Sequence, residues 1–198
     1  MTTLASLITD VYALTNQPDL VAETSLAVRS ATLKAHHIDF FPRDIYEVAF
    51  GFISEEYIQT LDYMALIPRF RALAYLRRLD NDSGDNVGKD LKIIDPVQAL
   101  DEYNQIQTEV VYLSGATLKI RTETPWQYFT IGAYRSPDVT ETNYSSWIAD
   151  QWPTAIIYEA VAIIFKTIGR DEQSANYTAM AKEARQEVVI SNVQLQGG

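Results

Sequence analysis

From Ala155 to Ile168 almost every position is apolar, with Ile156, Ile157, Val161, Ile163, Ile164, Phe165 and Ile168 in the run. A helix that is apolar nearly all round must be covered by protein on most sides. The run is shorter than the ~20 apolar residues of a membrane span, and Glu159 and Lys166 interrupt it. Pro153 suits the first turn of this helix, where its missing N–H leaves nothing unpaired. Asn143, Ser145 and Ser146 can cap a short helical turn just ahead of it, Ser146 to Asp150. Gly169 ends the helix, and Arg170-Asp171-Glu172 opens another. The stretch reads as the central post of a helical core.

The flanks supply its neighbours. Thr3 can cap a helix from about Leu4 to Thr15, with Leu4, Ile8, Val11 and Thr15 on one face, and Asn16-Gln17 breaks it. A second helix restarts at Pro18-Asp19 and runs to about His36. Their short connection predicts an antiparallel pair, packed on the helices after Pro153. A final amphipathic helix is predicted over about Asp171 to Val189, with Tyr177, Ala181, Ala184 and Val188 on one face.

The middle of the chain has a different period. Ile45 to Phe50 is β-branched and aromatic, Phe70 to Arg77 alternates, and Glu109–Ser114 with Thr117–Thr122 suits a hairpin around Gly115. A further strand is predicted from Trp126 to Tyr134. Glu55 to Pro68 fits a helical period and a short strand equally well. Asp95-Pro96 starts a short helix to about Asn104, and Asp80 to Asp90 is a polar, glycine-bearing loop. The pattern therefore predicts an α+β protein: a helical core of residues 1–39 and 140–190, an inserted, mostly antiparallel β lobe of 40–139, and an extended C-terminal arm of 191–198.

With 198 residues and 47% hydrophobic content the chain can bury one core with an inserted lobe. It has no cysteine, which excludes a disulfide framework and thiolate metal sites. The N-terminal segment lacks a basic start and carries Asp10 within its apolar part, which argues against a signal peptide. The formal net charge of -10 argues against a protein whose main task is gripping phosphates. An acidic wall beside DNA would instead repel the duplex and let it slide.

Candidate chemistry is sparse. His36 and His37 are adjacent, about 100° apart on a helix, so they cannot share a metal ion as an i,i+4 pair can. Asp80 to Asp85 has the alternating oxygens of a calcium loop, but Gly84 falls one place early and Leu91 stands where the bidentate acid is needed. No Ser/His/Asp set, cysteine nucleophile, phosphate-cradling loop or HExxH motif occurs, so no enzyme activity, cofactor or metal is predicted. Arg69, Arg71, Arg77 and Arg78, with Tyr75 between them, could meet phosphate or a carboxylate-rich partner. Their alternative is a solvated strand face paired with Glu55 and Glu56. At the C-terminus Val188, Val189, Ile190, Val193 and Leu195 are an odd choice for permanent exposure, and they predict an arm that orders on a partner.

The order SSWIADQWP, apolar helix, IGRDE and polar final helix, preceded by Ser136-Pro137-Asp138-Val139-Thr140, resembles the C-terminal part of head-to-tail adaptor (neck or connector) proteins of tailed bacteriophages. The resemblance covers roughly residues 95 to 185. It implies a ring, twelve-fold in that family, that joins the portal protein to a tail or neck protein and extends the channel for double-stranded DNA. It further implies a place in the virion neck, with assembly in the host cytoplasm and no membrane contact. The alternative is another virion protein, such as a tail-completion protein, or a carbohydrate-binding module using Trp126, Tyr128 and Tyr134 on one strand face.

Overall fold

The computed structural model describes residues 2–80, 87–99 and 107–196. It is an α+β protein with two compact units, one of Met1–Arg43 with Ser136–Gly198 and one of Asp44–Arg135.

The first unit is helical. Its elements are α1 (Leu4–Thr15), α2 (Val21–His36), α4 (Trp147–Gln151), α5 (Pro153–Thr167) and α6 (Asp171–Gln196). Thr3 and Ser6 cap α1 reciprocally, each side chain accepting from the other's backbone N–H at 3.1 Å. Asn16 ends α1 in the left-handed conformation, φ 53°, which asparagine tolerates better than most residues. Ser146 caps α4, and Pro153 opens α5 as the sequence predicts. The core gathers Leu7 and Val11 of α1, Val28 and Ala31 of α2, Ile148 of α4, and Ile156, Ala160, Val161 and Ile164 of α5. Ala184 and Val188 of α6 join it. The apolar helix is thus the post on which the other helices pack.

The second unit holds β1 (Ile45–Asp62), the one-turn helix α3 (Tyr63–Leu66), β2 (Phe70–Leu79), β3 (Val87–Asp90), β4 (Lys92–Ile93), β5 (Val110–Ser114) and β6 (Thr117–Arg135). The ambiguous stretch after Glu55 is strand to Asp62 and then a single helical turn, capped by Asp62 through Met64 and Ala65 N–H. Of the helix expected after Asp95, only a tight turn, Pro96–Ala99, lies within the described residues.

Strand β6 is the axis of this unit. Antiparallel β1 pairs with it from Ile45↔Tyr134 to Asp62↔Thr117. Its other neighbours divide its length: β2 pairs with Tyr128 to Arg135, and β5 with Thr117 to Arg121. Straight, β6 would span about 60 Å. Yet Asp62 lies at one end of it and Phe70 at the other, and the chain between them reaches at most ~29 Å. The strand pair must therefore bend back on itself. The bend lies where the β1–β6 register slips, between Gly51 and Ile58. Across the closure the Tyr63 and Phe70 rings sit 4.3 Å apart by centroid. Inside are Leu76, Val111, Leu118, Ile120, Phe129 and Ile131.

Gly132 shows how tightly the sheet is drawn. Tyr75 of β2 lies flat across this residue, so that a Cβ there would stand 2.3 Å from the ring. The phenol reaches over β6 to donate to Glu47 of β1. Burial first, and the bond to Glu47 second, push the Tyr75 pKa up to about 12. Gly132→Ala should lift the ring off the strand and destabilise the unit by about 1–3 kcal/mol. The check is denaturant unfolding in the wild-type and Tyr75→Ala backgrounds. An equal loss in both would mean that the ring is not the cause.

Candidate partner surfaces

Three arginines of β2 pair with acids of their own unit. Arg71 lies 3.4 Å from Asp44, with both side chains largely buried. Arg77 donates to Asp90 at 2.7 Å and lies over the Tyr75 ring. Arg78 donates to Glu109 at 3.2 Å and stacks on Trp126. Arg69 occupies the left-handed region at φ 62°, just ahead of β2, and is itself engaged. Among the described residues Asp44, Asp90 and Glu109 answer Arg71, Arg77 and Arg78, where the sequence reading offers Glu55 and Glu56. Trp126 has Arg78 on its ring and donates its indole N–H to Leu79 O at 2.9 Å, so little of it is left as a stacking platform.

The C-terminal residues are helical rather than extended, since α6 continues to Gln196. Val188 is a core residue at 1% exposure, Val189 packs half-buried beside it, and Asn192 is buried too. Helix-side burial thus overrides the small helix penalty of the β-branched residues. Ile190 alone of the described candidates turns outward, 58% exposed. The side chains of Val193 and Leu195 lie outside the described residues.

Two polar sites inside the helical unit escaped the sequence reading. The carboxylate of Glu159 on α5, 5% exposed, accepts from Lys34 of α2 at 2.5 Å and from Arg185 of α6. Burial alone would push its pKa up, but the two cations outweigh that and hold it below the usual carboxylate range. His36 is buried at the end of α2, with Nε2 2.9 Å from Ser146 Oγ and its ring edge-on to Trp147. Ser146 Oγ also accepts from Ala149 N–H, so the histidine braces a helix cap. The signal for Glu159 was present: a lone acid inside an apolar run, facing one basic residue on each neighbouring helix. Only the packing could reveal the match.

Between α5 and α6 an open cleft of about 480 Å³ is lined by Glu159, Lys166, Asp171, Ser174 and Thr178 among others. Its polar groups are engaged within the unit: Lys166 with Asp171 at 2.7 Å, Ser174 Oγ to Ala162 O, and Thr178 Oγ1 to Ser174 O. Among the described residues no three His, Asp or Glu side chains are grouped as a metal site. The loop from Asn81 to Asn86 lies outside the described residues. No helix among them is long and apolar enough to cross a membrane. The chain matches no protein-family model and no curated protein.

Proposed function

We propose that this chain is a non-enzymatic assembly subunit, a head-to-tail adaptor that forms a ring between the portal and the tail of a phage. The observation that supports this reading is the role of the stretch carrying the resemblance. Residues 143–172 supply the capped α4, the buried post α5 and the turn into α6, so the resemblance rests on the element around which the helical unit is organised. A contact between two different faces of one chain closes by rotation into a ring. The end of α6, with Ile190 exposed, is the portal-facing element in this reading. The net charge of -10 suits a channel through which the duplex slides. The virion neck is the corresponding place.

The test is mass by light scattering, for the chain alone and with the portal protein of the same phage. The expected result is a fixed multiple of subunits on each portal, weakened roughly tenfold by Ile190→Glu, about the 1.4 kcal/mol expected for one exposed apolar anchor. A chain that never joins the portal would overturn the proposal.

A further inference from the structure

At the bend of the sheet Ile53 is the most exposed large apolar side chain among the described residues, at 103%. The backbone holds it there from both sides. Gln127 Nε2 donates to Phe52 O at 2.6 Å and Gln59 Nε2 to Ser54 O at 2.9 Å, so the carbonyls on either side of Ile53 are both tied down. The Phe52 ring turns the other way, edge-on to Phe50 and Phe129 at the core. Glu55 and Glu56 are exposed beside the tip, and Tyr57 is 58% exposed. Ile53 is thus a braced apolar knob with an acidic rim. A side chain already held in place loses little entropy when a pocket takes it up.

The same chain carries a receptor of matching character. The α5–α6 cleft of about 480 Å³ has Ala162, Ile163 and Ala175 in its lining. The hydroxyls of Thr167, Ser174 and Thr178 all donate to helix carbonyls, which turns their hydrogen bonds away from the opening and leaves it apolar. Exposed cations stand around it: Lys166 in the lining, Lys34 reaching Glu159, and Lys182 one turn beyond Thr178 on the same side of α6. Lys166 and Asp171 form a surface pair, 71% and 73% exposed, and such a pair is weak enough to exchange for another acid. In a chain with 26 acidic residues against 16 basic ones, three lysines around one apolar cleft suit an apolar insert with acids beside it.

We infer that Ile53 of one copy of this chain inserts into the α5–α6 cleft of the next, with Glu55 and Glu56 meeting Lys166 and Lys182. Knob and cleft are different surfaces, so the contact is heterologous and repeats around a ring. Knob against knob would set Glu55 and Glu56 against their own copies, which disfavours a two-fold pair. The inference rests on the ring reading of the proposed function and adds which surfaces meet.

The absence of cysteine permits a direct test. A chain carrying Ile53→Cys and Ala175→Cys, assembled on the portal and oxidised, should give a ladder of covalent oligomers. Either change alone should give none beyond a pair. Ile53→Ser should raise the concentration needed for ring assembly at least tenfold and leave the melting temperature unchanged, since nothing in its own chain covers the side chain. Glu55→Lys/Glu56→Lys and Lys166→Glu/Lys182→Glu should each weaken assembly as much, and the chain with all four changes should assemble near the wild-type level. A wild type that forms no ring would overturn both this contact and the adaptor reading. A wild-type ring with no ladder, and with Ile53→Ser unaffected, would overturn the contact alone. An intact Ile53→Ser ring that no longer binds the portal or the tail would assign the knob to that partner and equally overturn it.

Discussion

Replacing Glu159 by alanine should destabilise the helical unit by about 3–5 kcal/mol, because it strands a buried cation. Arg185 is 12% exposed in its side chain and would lose its carboxylate, whereas Lys34, 53% exposed, can turn to water. The penalty therefore falls on the α5–α6 contact. Glu159→Leu/Arg185→Met should recover much of the loss, since a well-packed apolar pair often replaces a buried ion pair without penalty. Thermal and denaturant unfolding measure both variants, and a double variant no better than the single would refute this cause. The pH dependence follows in sign. The folded carboxylate titrates below its unfolded value, so its contribution is complete above about pH 4.5 and fades as pH falls through the folded pKa. Glu159→Leu/Arg185→Met should flatten that acid limb of the stability curve.

The second large effect is expected at the bend of the sheet. Gln59 is 5% exposed, and its Nε2 donates to Ser54 O at 2.9 Å and to Trp126 O at 3.1 Å. Gln127 Nε2 donates to Phe52 O at 2.6 Å. Two side-chain amides thus take over where the β1–β6 ladder is interrupted. Gln59→Leu keeps the bulk and leaves two carbonyls unpaired, a loss of about 2–3 kcal/mol. Amide exchange should quicken around 52–58 and 121–128, with no change in the helices. Uniform quickening throughout the β unit would show that Gln59 supports the core generally and not the bend.

The helices were largely legible because their signals are local. Thr3, Asn16, Ser146 and Pro153 mark boundaries through capping and proline geometry, and the apolar run of α5 needs no partner to be read. The end of α6 was not legible: Val189, Ile190 and Val193 suit a strand, and burial of Val188 and Asn192 decides otherwise. In the sheet the strands and the hairpin around Gly115 were visible, and the pairing of β1 and β2 with β6 was not. Thr117–Thr122 and Trp126–Tyr134 read as two strands, because Glu123, Thr124 and Pro125 look like a break. They are one strand, since β1 stays with β6 through the interruption. The cations misled for a related reason. Clustering in sequence singled out Arg69 to Arg78, yet Arg71 and Arg78 meet acids far along the chain, Asp44 and Glu109.

The Ile45↔Tyr134 pair also bears on the order in which the chain can fold. It brings together two backbone points roughly ninety residues apart, and those points are the entry and exit of the inserted unit. Before that pair forms, docking α1 and α2 on α5 means closing a loop of more than a hundred residues. Afterwards the effective loop is only a short segment on either side. With loop entropy growing by ~0.6 kcal/mol per doubling, the prior pairing spares the helices roughly 1.5 kcal/mol of closure entropy. During synthesis α5 emerges after the whole sheet, so the inserted unit has the time to form first. The sheet then acts as a clasp that makes late helix assembly a short-range event.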